Sequence, residues 1–298
     1  MTVLSLFDGI SCGRIALERA GIKVDKYYAS EIKKHAIKCS TKNWNDIIQI
    51  GDVTKVHYKD GVLKTEKGLF NIGKIDLLIG GSPCQNFSIA RYSMYEREGL
   101  DGDKSKLFYE YLRLLNTIKP KYWLLENVKM KSEHKQQLNE FLGVEGLEFN
   151  SRLVSYQNRP RVYWSNIPFS YPEDRNINFQ DFKETDPEEC RKYMLHNTPS
   201  RIRMWNNGQG RTNQSSCKNI TNETKINCIT RKQDRCPNSG LIECDNFARF
   251  LSRKELEQGQ TLPVGYTDCL TYNQVQDVTG DCWTVDAIVE YFKNLKEL

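Results

Sequence analysis

The chain has 298 residues, of which 39% are hydrophobic and 27% charged; this suits one large domain, or one domain carrying a smaller one, and excludes wholesale disorder. No apolar run approaches a membrane span and the mean hydropathy is −0.63, so no membrane partner is expected. A net charge of +5 is too small to establish a nucleic-acid partner by itself, and its distribution along the chain matters more.

The start, Met1-Thr2-Val3-Leu4-Ser5-Leu6-Phe7-Asp8, has no basic lead and soon meets an acid, so it reads as a strand rather than a signal peptide. Ten cysteines without a Cys-x-x-Cys pair read as reduced thiols in a cytoplasmic setting. Cys228, Cys236 and Cys244, with Cys217 before them, lack the close pairing of zinc ligands, and no metal is expected.

In chain order, the first strand runs into Asp8-Gly9-Ile10-Ser11-Cys12-Gly13 and a helix closed by Gly21. A glycine turn between strand and helix can bring backbone N–H groups up to a nucleotide-like ligand, or can be only a turn. A second strand, residues 26–30, ends in Glu31, about twenty residues past that turn, the spacing at which a strand-tip acid takes ribose hydroxyls; otherwise Glu31 caps the helix expected over residues 32–43. A third strand end carries Gly51-Asp52-Val53. Acids at three strand tips suit a ligand with hydroxyls, an amine and a cationic centre better than one carrying phosphates.

Residues 55–74 are polar and read as a surface hairpin. The apolar run Ile75-Asp76-Leu77-Leu78-Ile79 then delivers Gly80-Gly81-Ser82-Pro83-Cys84-Gln85 to a sheet edge. On its own, Cys84 is better read as a small buried apolar residue, as most unpaired cysteines are. Residues 85–103 are too long for an ordinary connection and suggest a binding loop or lid. Leu107, Tyr111, Leu114, Leu115 and Ile118 recur at helical spacing as a core stripe ended by Lys119-Pro120. A buried strand over residues 122–125 leads to Glu126-Asn127-Val128. Desolvation at such a site would keep a carboxyl protonated, able to donate a hydrogen bond to a ring nitrogen, although a solvated loop glutamate reads equally well.

Strands are expected over residues 149–156 and 162–165, around Gln157-Asn158-Arg159-Pro160-Arg161. From about Asn166 prolines punctuate the chain, and residues 200–238 are rich in Arg, Lys, Asn, Gln, Ser and Thr, side chains that contact phosphates and base edges. Val285, Ile288, Val289 and Phe292 share one face of a terminal helix expected to pack back on the first domain. The division expected is residues 1–165, 166–249 and 250–298.

The ordered series Phe7-Asp8-Gly9-Ile10-Ser11-Cys12-Gly13, Ser30-Glu31-Ile32, Gly51-Asp52-Val53, Gly81-Ser82-Pro83-Cys84-Gln85, Glu126-Asn127-Val128, Gln157-x-Arg159-x-Arg161 and Gly280-Asp281-Cys282-Trp283 resembles the DNA (cytosine-5) methyltransferases, in wording most the animal de novo branch. It departs at Gly280-Asp281, where the family usually has Gly-Asn, and over residues 253–266, where only an outline remains. The resemblance implies an α/β fold, a Rossmann-like S-adenosylmethionine-dependent methyltransferase sheet with a smaller target-recognition domain. It implies Cys84 as the nucleophile that adds to cytosine C6, with Glu126, Arg161 and Arg159 completing the catalytic set. Around S-adenosylmethionine it puts Phe7, Asp8, Gly9, Ile10, Glu31, Ile32, Asp52, Val53, Pro83, Leu107 and Trp283. On double-stranded DNA it puts Gln85, Ser88, Ile89, Arg231 and Lys232, with the target base flipped out.

The first motif begins almost at Met1, as expected of a stand-alone microbial or viral enzyme. A tRNA cytosine-5 methyltransferase and a catalytically silent DNA-binding partner of an active methylase are the alternatives. The recognised DNA sequence, the oligomeric state and a cognate restriction enzyme as companion are left open by the sequence.

Overall fold

Strands buried on both faces have no polar face to show, and the first strand meets that condition: β1 (Thr2–Leu6) buries Val3, Leu4, Ser5 and Leu6. The computed structural model describes residues 1–82, 106–208, 217–235 and 237–297. They fall into two compact units. The first comprises Met1–Phe149, Pro160–Tyr171 and Ile288–Leu298, and the second Asn150–Arg159 and Pro172–Ala287.

After β1, the first unit continues through α1 (Cys12–Arg19), β2 (Lys26–Ser30), α2 (Lys34–Asn43), β3 (Ile47–Gln49), β4 (His57–Lys59), β5 (Val62–Thr65), β6 (Gly68–Asn71) and β7 (Leu77–Gly81). Next come α3 (Lys106–Ile118), β8 (Tyr122–Val128), α4 (Ser132–Leu142) and β9 (Leu147–Asn150); β10 (Gln157–Asn158) lies in the second unit and β11 (Pro160–Ser165) returns to the first. Among the described residues the main sheet has the order β3-β2-β1-β7-β8-β11-β9. Pairings β3 to β8 along that order are parallel, and β11 lies antiparallel to β8. The chain builds outward from β1 to β3, then crosses back to β7 on the other side of β1. That reversal opens a crevice at the carboxyl ends of the parallel strands, where ligands of such sheets bind.

Three local differences from the sequence expectations have physical causes. α2 starts at Lys34, not near Ile32, because the Glu31 carboxylate accepts the N–H groups of Ile32 and Lys33, both at 2.8 Å. Residues 55–74 form a three-stranded meander, β4-β5-β6, rather than one hairpin. Its first turn is Asp60-Gly61, both with positive φ (49° and 79°), the conformation of a two-residue hairpin loop. The strand expected over residues 149–156 gives way to a 3-10 turn at Ser151–Leu153, capped by Asn150 Oδ1, which accepts from Arg152 N at 3.1 Å.

In α3, Phe108, Tyr111, Leu114 and Ile118 are buried, while Leu107 and Leu115 pack partly buried against the same core. Gly80 lies under this helix: a Cβ there would stand 3.0 Å from the Tyr111 ring and 3.2 Å from the Leu6 carbonyl oxygen.

The second unit also holds α5 (Pro187–Arg191), α6 (Pro199–Gly208), β12 (Ile226–Asn227), β13 (Ile242–Cys244), β14 (Phe247–Arg249), α7 (Arg253–Gly259) and α8 (Tyr272–Asp281). β12 pairs in parallel with β10, and β13 pairs antiparallel with β14. At its centre Arg249 and Glu255 form a fully buried ion pair at 2.8 Å. Arg249 also donates to the carbonyls of Glu184 and Phe250, and Glu255 accepts from Glu184 N and Ser252 N. These bonds offset the cost of taking two charges out of water. The last helix, α9 (Val285–Phe292), buries Val285, Ile288 and Phe292 with Val289 half-buried, and from Ile288 onward it belongs to the first unit, where Tyr291 stacks on Phe169.

Among the described residues, no helix is long and apolar enough to cross a membrane, and no cluster of His, Cys, Asp and Glu is placed to hold a metal ion.

Candidate active site

The carboxyl end of β1 opens into a turn in which Phe7, Gly9 and Ser11 all take left-handed backbone conformations, with φ of 56°, 61° and 63°. This is costly for Phe7 and Ser11 and easy only for Gly9. Asp8 faces inward: it accepts hydrogen bonds from Ser11 Oγ and, at 2.7 Å, from the Tyr27 hydroxyl. Burial pushes the Asp8 carboxyl above the ordinary aspartate range, against the opposing pull of those bonds. Burial pushes the Tyr27 phenol well up too, with Asp8 adding to the shift. Ile10 is fully buried. A Cβ on Gly9 would meet nothing within 4 Å, so the backbone here has open space beside it.

At the end of β2, Glu31 ties the neighbouring tips together. Its Oε2 accepts from Gly9 N at 2.8 Å, and its Oε1 takes the two N–H groups ahead of α2. Glu31 is thus a helix-leading acceptor and also a link to the glycine turn. Ile32 beside it is 70% exposed, and a large apolar side chain left in water at a ligand-binding edge is a candidate contact. Past β3, Asp52 Oδ1 accepts from Thr54 N at 2.9 Å, and Val53 is buried. Glu66, from the β5–β6 turn, accepts from Asp52 N at 3.1 Å.

The ends of β7 and β8 lie side by side, with Gly81 opposite Glu126. Glu126 is largely buried, and Arg161 Nε lies 2.9 Å from its Oε1. β11 pairs Tyr163 with Glu126 and Arg161 with Val128, which makes Glu126 and Arg161 diagonal neighbours on one face. Asn127, fully buried, donates through Nδ2 to Ser82 Oγ at 3.1 Å and so fixes the residue that leads into Pro83. In the sequence Asn127 stands out only within Glu126-Asn127-Val128, an amide at the end of an apolar strand. Pro83, Cys84, Gln85, Ser88 and Ile89 lie outside the described residues.

Arg159 is engaged elsewhere. Its guanidinium is buried in the second unit, donating to the carbonyls of Ile229 (2.7 Å), Gly280 (3.1 Å) and Cys282 (2.9 Å) and to the Cys228 sulfur. Arg231 pairs with Asp277 at 2.5 Å, and Lys232 follows it in a left-handed conformation at φ 57°. Trp283 lies half-buried just beyond α8, and Leu107 sits in the first turn of α3.

A mostly parallel sheet with acids at its strand tips is an α/β ligand-binding fold. The crystal structure of the S. pombe Dnmt2 methyltransferase shares that fold, with a TM-score of 0.75 at 16% identity over 100% of this chain and 98% of that one. The family described as C-5 cytosine-specific DNA methylase matches residues 1–163, and the chain belongs to it. It is similar to the orphan methyltransferase M.Rho11sI of Bacillus phage rho11s, 34% identical over 55% of this chain and 32% of that protein. It is also similar to the type II methyltransferase M1.ScrFI of Lactococcus lactis subsp. cremoris, 31% identical over 62% of this chain and 45% of that protein. The chain therefore spans less than half the length of these relatives.

Proposed function

We propose that this chain transfers a methyl group from S-adenosylmethionine to C5 of a cytosine flipped out of double-stranded DNA, with Cys84 as covalent nucleophile. The observation that carries the reading is the Glu126–Arg161 pair beside the strand end that leads into Pro83-Cys84, in a chain of the C-5 cytosine-specific DNA methylase family.

The residues present suit the cofactor. A carboxylate has about four acceptor positions, and Glu31 spends three on backbone N–H groups, which leaves capacity for a ribose hydroxyl. Gly9 leaves room for the methionine part beside Phe7, Asp8 and Ile10. Exposed Ile32 offers an apolar face to adenine, and the second oxygen of Asp52 can accept from the adenine amine. When bound, S-adenosylmethionine supplies an electrophilic methyl group.

The chain's own residues prepare the base. C5 of cytosine is a weak nucleophile, and addition of the Cys84 thiolate to C6 makes it enamine-like. As electron density moves toward N3, Glu126 supplies a proton there, and the carboxylate left behind is held by Arg161, which also faces the developing charge at O2. Water takes the C5 proton as the C6–S bond breaks and expels the thiolate, and N3 returns its proton to Glu126, which restores the ring and the starting carboxyl group. Arg159 braces the second unit, joining the Ile229 carbonyl to those of Gly280 and Cys282. The basic residues 200–238 and Arg231 serve to hold and read the duplex, with Gln85, Ser88 and Ile89 as further contacts to it.

Labelled methyl transfer to duplex DNA and to tRNA, followed by bisulfite sequencing of the DNA product, tests the reading. Transfer to DNA that Cys84→Ser abolishes supports it. Transfer to tRNA alone, or normal turnover by Cys84→Ser, overturns it.

A further inference from the structure

Helix α8 ends against its own electrostatic interest. Asp277 and Asp281 stand four residues apart in its C-terminal half, where like charges at this spacing repel and the helix end disfavours acids. A cation from another segment meets both. Arg231 Nε lies 2.5 Å from Asp277 Oδ1, and its Nη1 lies 3.6 Å from Asp281 Oδ2.

The backbone of Arg231 is fixed as firmly. A Cβ on Gly280 would stand 2.3 Å from Arg231 N and 2.5 Å from the Thr230 carbonyl carbon, so the segment rests directly on the helix at a position that only glycine permits. Arg159 joins the Ile229 carbonyl to those of Gly280 and Cys282, and Asp234 N donates to Gln276 Oε1 at 3.1 Å. The guanidinium spends its Nε on Asp277; among the described residues its Nη groups make no hydrogen bond, and the side chain keeps 37% exposure. The Gly280-Asp281 departure from the family's usual Gly-Asn thus has a specific partner: the second acid lies beside Arg231.

We propose that Asp277 and Asp281 are specificity-setting positioning residues, which orient the Nη edge of Arg231 toward a base edge and offset its charge so that a phosphate alone does not hold it. Phosphate capture is independent of sequence and sensitive to salt, whereas a base edge is read only by a donor pair held in orientation. The proposal rests on the reading of the chain as a DNA methyltransferase.

The test uses the full chain and Asp281→Asn, Asp277→Asn and the double variant. Asp281→Asn breaks no hydrogen bond to Arg231, since that contact is a charge pair only, and Asn at position 277 can still accept from Nε. Binding to a dA·dT duplex, which offers no cytosine, is measured across a salt series, and the methylated contexts are mapped by bisulfite sequencing. The double variant is expected to bind the dA·dT duplex about two- to five-fold more tightly, with a salt slope steeper by about one, and to methylate a wider set of contexts. Folded variants whose slope and contexts match the wild type overturn the proposal. Wild-type transfer to duplex DNA, run alongside, separates the two levels. Its absence sinks the functional reading, and its presence with unchanged variants sinks only the role of the two acids.

Discussion

Glu126 and Arg161 face each other diagonally across β8 and β11, with Nε 2.9 Å from Oε1 and both side chains about nine-tenths withdrawn from water. The pair makes separable demands on stability and on chemistry. Arg161→Ala leaves the largely buried Glu126 side chain without this partner and is expected to cost about 1–3 kcal/mol in urea unfolding. Glu126→Gln keeps a hydrogen-bond acceptor of the same shape but cannot give up a proton, and is expected to lower methyl transfer about 10²–10⁴-fold with a smaller change in stability. A Glu126→Gln variant that turns over normally removes Glu126 from the chemistry.

Gly9 and Gly80, both close to strand tips, are required for different reasons. Gly80 sits under α3, so Gly80→Ala presses a methyl group onto Tyr111 and is expected to cost about 1–3 kcal/mol in urea unfolding. Gly9 has empty space where its Cβ would be, so Gly9→Ala is expected to cost only the left-handed backbone penalty, about 1–2 kcal/mol, while weakening cofactor binding by calorimetric titration. Equal cofactor affinity in Gly9→Ala and wild type contradicts the assignment of that space.

The sheet was legible because parallel strands buried on both faces leave continuous apolar runs, as in Val3 to Leu6 and Leu77 to Ile79, and because their tips carry acids. Asp60-Gly61 carries the signature of a tight turn, but the polar stretch around it becomes a meander only through the pairing of β5 with both β4 and β6. The two arginines of Gln157-x-Arg159-x-Arg161 were not distinguishable by eye. One donates to carbonyls 70 and more residues away, while the other pairs with Glu126. Such acceptors are backbone atoms, which no side-chain pattern reveals. The partners of Arg231 were hidden likewise, since Asp277 and Asp281 acquire meaning only when Gly280 brings the two segments into contact.

Glu31 combines a structural and a binding role, and its amide tests both. Glu31→Gln replaces one oxygen with an NH₂ group, which must face either Gly9 N–H or the N–H groups of Ile32 and Lys33. Donor then meets donor. Stability is expected to fall by about 1–3 kcal/mol and affinity for S-adenosylhomocysteine by about tenfold or more, read by urea unfolding and calorimetric titration. Unchanged affinity in a destabilised variant leaves Glu31 with the capping role alone.

Asp8 gives the protein a pH dependence of defined sign. Burial raises its folded-state pKa, so the folded protein keeps a proton on this carboxyl at pH values where the unfolded chain has released it. Folding therefore takes up protons at Asp8. The contribution is fully present below the ordinary aspartate range and is lost as pH rises through the raised value. Asp8→Asn removes the titration while keeping an oxygen for the Tyr27 hydroxyl. The stability of the wild type relative to Asp8→Asn is accordingly expected to decline as pH rises above the ordinary aspartate range in paired urea titrations. Parallel curves there would show that Asp8 ionises in the fold as it does in the unfolded chain.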